Sequence, residues 1–80
     1  MIIEVKVFAS LRHYIPPSDD HQENDKWKIL EGARVIQVLE KLNIPEKEAK
    51  VFLINGRKAE KMNVLKEGDL LHIFPLIGGG

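Results

Sequence analysis

Apolar and polar residues alternate from Ile2 to Phe8, with Ile3, Val5 and Val7 on one side and Glu4 and Lys6 on the other. A period of two sends successive side chains to opposite faces of an extended chain, so residues 2–8 are predicted to form a half-buried strand. Phe8, Leu11, Tyr14 and Ile15 then fall at helix-like spacing, but Pro16-Pro17 stops any helix there and leaves room for one short turn. Residues 18–25, Ser-Asp-Asp-His-Gln-Glu-Asn-Asp, are acidic and without period, which reads as an exposed loop. They lack the spaced ligands and central glycine of a calcium loop.

Alternation returns in Lys26-Trp27-Lys28-Ile29-Leu30, which places Trp27 and Ile29 on the buried side of a second strand. Between Arg34 and Asn43 the apolar positions shift to i, i+3, i+4 and i+7, namely Val35, Val38, Leu39 and Leu42, with Gln37, Glu40 and Lys41 facing out. This is the stripe of an amphipathic helix. Gly32-Ala33-Arg34 offers no Ser, Thr, Asp or Asn to cap its first amides, whereas Ile44-Pro45 ends it, because the residue before proline avoids helical geometry. Val51-Phe52-Leu53-Ile54 followed by Asn55-Gly56 is a strong hairpin signal, with the chain turning back at Arg57-Lys58. Residues 60–65 are irregular, and Lys66-Glu67-Gly68-Asp69 turns into a last strand. There Leu71 and Ile73 should face the helix and leave Leu70, His72 and Phe74 on the other face. One amphipathic helix on a small mixed sheet is an α+β arrangement, with the first and last strands, the most apolar, as parallel neighbours in its middle.

Composition narrows the class. With 80 residues the chain forms one domain with one small core, no repeat and no second unit. Apolar residues at 44% and charged ones at 30% match a globular protein. Twelve Lys and Arg against twelve Asp and Glu, interspersed, give no basic nucleic-acid footprint. No cysteine is present, which removes disulfides, thiolate metal sites and a cysteine nucleophile. His13, His21 and His72 show no paired metal spacing, and no glycine-rich phosphate loop joins a strand to a helix. An independent enzyme, a metal site and ATP binding by this chain alone are all disfavoured. No run is long enough for a membrane span and the first residues lack a signal-peptide layout, so a cytoplasmic location is the expectation.

The last stretch runs Leu70-Leu71-His72-Ile73-Phe74-Pro75-Leu76-Ile77 and then Gly78-Gly79-Gly80. Glycine lacks a side chain, so such a tail threads channels too narrow for a Cβ and brings a carboxylate into another protein's active site. Fully extended, residues 76–80 span about 17 Å. The plain alternative is a frayed end.

The element order, the Leu65-Lys66-Glu67-Gly68-Asp69 turn and the Phe74-Pro75 ending before the glycines resemble the MoaD/ThiS family of ubiquitin-like sulfur carriers. The resemblance spans the whole chain and is most specific at the tail. The MoaD branch, the small subunit of molybdopterin synthase, typically ends Phe-Pro-Pro-Val-x-Gly-Gly. Here Leu76 replaces the second proline, Ile77 stands for the valine, and Gly79-Gly80 form the terminal pair. Phe74-Pro75 leans toward MoaD over ThiS, while Ala33-Arg34-Val35 departs from the family's usual Ala-Thr-Val helix start.

The resemblance implies a β-grasp domain over residues 1–75 and a glycine-rich tail over 76–80. It also implies a chemistry at Gly80: adenylation of its carboxylate with ATP by an E1-like partner, then conversion to a thiocarboxylate with sulfur from a sulfurtransferase or cysteine desulfurase. In the MoaD branch the acceptor is a pterin precursor held by the large subunit of molybdopterin synthase. An ionised α-carboxyl is a poor electrophile and needs such activation before a sulfur nucleophile attacks. The partners own the catalytic groups and ATP, and this chain binds no cofactor. Leu70, His72 and Phe74, continued by Leu76 and Ile77, form the candidate docking surface, since aromatic and apolar residues facing water are enriched at interfaces. Three readings stay open: a sulfur carrier for molybdopterin, or for thiazole or another product; a ubiquitin-like modifier joined through Gly80 to lysines of other proteins; and a β-grasp binding module with an idle tail.

Overall fold

A computed structural model describes residues 1–9, 11 and 26–75. The elements are β1 (Ile2–Val7), β2 (Lys26–Lys28), α1 (Val35–Leu42), a 3-10 turn (Glu46–Glu48), β3 (Ala49–Ile54), β4 (Arg57–Ala59) and β5 (Leu70–Pro75). The strands make one sheet in the order β2-β1-β5-β3-β4. β1 and β5 are parallel, and the other neighbours are antiparallel. The central parallel pair expected from the two most apolar strands is therefore present. The short turn after β1 is described only at Ala9 and Leu11, where the Leu11 N–H donates to the Phe8 carbonyl at 3.2 Å. The acidic loop at 18–25, with His13 and His21, lies outside the described residues.

One face of the sheet carries the core. Val5 opposes Leu71 and Val7 opposes Ile73 across the parallel pair, Phe52 opposes Ile73 across β3–β5, and Ile3 opposes Trp27 across β1–β2. Against this face α1 buries Val35, Val38, Leu39 and Leu42, the four positions of its apolar stripe. Leu11, Leu65, Leu71 and Ile73 are fully enclosed with them, and Trp27 is a core residue. Asn55 and Gly56 at φ 54° and 83° form the two-residue turn between β3 and β4, matching the twist of the flanking strands.

The uncapped start of α1 is resolved by distant backbone. The Val35 and Ile36 N–H groups, which no side chain at position 34 accepts, donate to the Asn63 and Lys61 carbonyls at 3.0 and 2.8 Å. Arg34 Nη1 donates to the Met62 carbonyl at 2.7 Å, and Gln37 Oε1 accepts from the Arg34 N–H at 2.7 Å. The irregular stretch at 60–65 is thus the cap of the helix. At the other end Asn43 adopts φ 59°, and its N–H and that of Ile44 return to the Glu40 and Leu39 carbonyls. This paired closure ends the helix one residue before the Ile44-Pro45 barrier.

Candidate functional site

β5 is the strand that leads to the glycine tail, and it is held on both edges. Glu4, Val5, Lys6 and Val7 of β1 pair with residues 70–73 on one side. Residues of β3 from Ala49 to Ile54 pair on the other, with a register shift between Ala49 and Val51. The turn before it is pinned as well. Gly68, at φ 83°, donates its N–H to the Ile2 carbonyl at 2.8 Å, and the Ile2 N–H donates to Glu67 Oε1 at 2.9 Å. Asp69 is buried and accepts from Asn55 Nδ2 and from the Lys66 N–H, both at 2.8 Å. Asn55 in turn accepts from the Leu70 N–H through its side-chain oxygen at 2.9 Å and donates its own N–H to the Leu70 carbonyl at 2.8 Å. One asparagine therefore ties the β3–β4 turn to the first residue of β5.

Leu70, His72 and Phe74 lie on the face of the sheet opposite the helix, as the alternation requires, and each is half-buried. Their burial comes from neighbours that share the face. Phe8 stacks on Phe74 with ring centroids 4.4 Å apart and planes 8° apart, and meets His72 edge-on at 5.4 Å. His72 and Phe74 are themselves edge-to-face at 6.2 Å. Across β3, Leu53 opposes His72 and Val51 opposes Phe74; Val51 is 41% exposed. Phe8, Val51 and Leu53 thus join the row, which the sequence places along Leu70, His72 and Phe74 and on into Leu76 and Ile77. Phe8 was legible, because it continues the Glu4 and Lys6 side of the first alternation. Val51 and Leu53 needed the β3–β5 register.

The remaining candidate residues, Leu76, Ile77, Gly78, Gly79 and Gly80, lie outside the described residues. Among the described residues no group of three or more His, Asp or Glu is placed to hold a metal ion, and no helix is long and apolar enough to cross a membrane. Apart from His72, the row on the described sheet face is apolar and aromatic, and what this arrangement offers is a contact surface next to the last strand before the tail.

Comparison with known proteins fits that geometry. The family model described as Mut7-C ubiquitin matches residues 1–78. The chain belongs to the Mut7-C ubiquitin family. No curated protein matches it. Among solved structures, this Mut7-C ubiquitin chain resembles the Haloferax volcanii HVO 2177 protein at 28% identity, covering all of this chain and 87% of that one with a TM-score of 0.74. It resembles a Pyrococcus furiosus protein described as a molybdopterin converting factor, subunit 1, at 24% identity over 95% of this chain and 98% of that one, with a TM-score of 0.64. SAMP1 from Haloferax volcanii shares the fold at 19% identity over the full length of both chains, with a TM-score of 0.66. The β-grasp, ubiquitin-like fold expected from the element order is therefore borne out.

Proposed function

We propose that this Mut7-C ubiquitin chain is a sulfur carrier whose reacting group is the carboxylate of Gly80. The observation that carries the reading is the placement of β5: the central strand, gripped by β1 and β3, reaches Pro75 along an apolar, aromatic sheet face, and in the sequence Leu76-Ile77-Gly78-Gly79-Gly80 follows it. The carboxylate attacks the α-phosphorus of ATP in the site of an E1-like enzyme, and pyrophosphate leaves. The outer sulfur of a persulfide on a sulfurtransferase or cysteine desulfurase then attacks the acyl carbon and displaces AMP, giving an acyl disulfide, and a thiol attacks the enzyme-side sulfur of that bond, forming a new disulfide with the enzyme and releasing the tail as a thiocarboxylate. Tethering that sulfur beside its acceptor replaces a dilute encounter by an oriented one. The likeness to the Pyrococcus furiosus molybdopterin converting factor subunit supports molybdopterin as the product, with a large synthase subunit as acceptor.

A second reading draws on the fold shared with SAMP1: a ubiquitin-like modifier joined through Gly80 to target lysines. It uses the same activation and differs in the nucleophile. Intact-mass and peptide mass spectrometry of the protein from its native host separate the two. A sulfur-for-oxygen mass gain confined to Gly80 is the carrier's mark, and branched peptides on target lysines are the modifier's. Removing Gly79 and Gly80 abolishes ATP-dependent activation in either case. A native protein in which Gly80 is followed by further residues, or a truncated chain that is still activated, overturns both.

A further inference from the structure

Zero net charge conceals a sorted surface. On the helix-free face, the residues paired across the sheet include four exposed lysines. Lys6 opposes His72, Lys26 opposes Glu4, Lys28 opposes Ile2, and Lys58 opposes Leu53. Among the paired residues of that face Glu4 is the sole carboxylate, and at 3.9 Å from Lys6 Nζ it offsets one cation weakly. The lysines flank the apolar row from both sides, Lys6, Lys26 and Lys28 from β1 and β2, and Lys58 from β4. The solvent side of α1, by contrast, carries Gln37, Glu40 and Lys41, with no excess of either sign. A cationic ring around an apolar centre is costly to leave facing a neutral partner, since each ammonium must stay hydrated, and favourable when met by carboxylates at the rim.

We propose that the helix-free face of the sheet docks a protein surface with an apolar centre ringed by aspartate and glutamate, and that Lys6, Lys26, Lys28 and Lys58 select and steer that partner. This rests on the carrier reading for the partner's identity, an E1-like activating enzyme, and on the face alone for its chemistry. Single-stranded nucleic acid is disfavoured because, among the described residues of this face, the two phenyl rings stack on each other and leave no pair of open aromatic platforms for bases.

Zero-length carbodiimide coupling joins lysine amines to carboxylates in contact, and tests the proposal on the full chain in two settings: the purified E1-like enzyme of the native host, and an extract of that host. Cross-links mapped by mass spectrometry should concentrate on Lys6, Lys26, Lys28 and Lys58, joined to Asp or Glu of the partner, and spare Lys41, Lys47 and Lys66. The double variant Lys28→Glu/Lys58→Glu should slow association with the enzyme about tenfold or more at low salt, and the gap should close as salt rises from about 0.05 M to about 0.5 M. Lys41→Glu/Lys47→Glu should leave the rate unchanged. Cross-links spread over all exposed lysines, none at all, or links at the face that a mixed-sequence oligonucleotide competes away would overturn the acidic-partner assignment. Face-specific links in the extract together with failure of the enzyme to activate Gly80 would instead overturn the carrier reading and leave this inference standing.

Discussion

Phe74→Ala separates the two duties of the sheet face, holding itself together and holding a partner. Phe74 is half-buried and stacked on Phe8 at 4.4 Å. Full burial of a phenylalanine is worth about 1.5–3 kcal/mol, so half of it contributes about 1 kcal/mol. The ring pair adds about 0.5–1.5 kcal/mol. The sum, about 2 kcal/mol, falls short of the roughly 3–5 kcal/mol for truncating an enclosed phenylalanine, because the space vacated here opens to water and leaves no dry cavity. For a domain of this size about 2 kcal/mol lowers Tm by roughly 8–16 °C, within the stability a small fold possesses. Leu71 and Ile73, fully buried on the opposite side of the same strand, keep the core and the fold in place. If Phe74 anchors the partner, its loss costs a further ~2 kcal/mol or more in association, about thirtyfold in Kd. Thermal unfolding by circular dichroism gives the first quantity, and calorimetric titration with the E1-like enzyme well below the variant's Tm gives the second. Unchanged affinity would remove Phe74 from the docking surface. A collapsed domain would show that the outer face is structural, and a Tm shift below about 3 °C would show that the ring stack contributes no stability.

Arg34→Ser places a favourable capping residue before α1, which ordinarily adds about 1 kcal/mol. Here the Ile36 N–H is already taken by the Lys61 carbonyl and the Gln37 N–H by the Arg34 carbonyl, so Tm should stay level or fall as the Arg34–Met62 hydrogen bond is lost; a clear rise would refute the backbone cap. Asn55→Ala should destabilise by about 2–3 kcal/mol in urea unfolding, since alanine tolerates the positive φ poorly and the hydrogen bonds to Asp69 and Leu70 vanish together. Asn55→Gly should recover the backbone share of that loss alone, and equal midpoints for the two variants would show that the positive φ carries no strain.

The sequence revealed most where one period governed a whole element. The 3.6-residue stripe of Val35, Val38, Leu39 and Leu42 and the alternation in β1 and β5 each placed side chains on the correct face, because burial of a face decides both. Asn55-Gly56 announced its turn through backbone preference alone. What stayed hidden was long-range pairing. Nothing local in Lys61-Met62-Asn63 says that its carbonyls will cap a helix whose first residue is Val35, and nothing in the run at 51–54 says that Val51 and Leu53 will flank Phe74 and His72. The lysine ring escaped notice for the same reason: its members come from β1, β2 and β4, and charges interspersed along the chain become sorted only once the register is set.

The topology explains why a carrier would use the end of this particular strand. A terminal strand at a sheet edge is hydrogen-bonded on one side and frays with its own tail. β5 instead lies between β1 and β3, so an enzyme drawing on the tail works against two ladders and the enclosed side chains of Leu71 and Ile73. Pro75 is the last residue of that strand, opposite Ala49, and with no N–H it marks a natural end to the pairing. The Phe8–Phe74 stack sits one residue earlier. A partner that grips the stack therefore also fixes the origin of the tail, with Gly80 no more than about 17 Å of chain beyond it. Within that radius a short tether holds its end at an effective concentration in the millimolar range, far above that of a free carrier in a cell. On the proposed reading, recognition at the sheet face and delivery of the carboxylate are one binding event, and the specificity of the chemistry is set by residues that take no part in it.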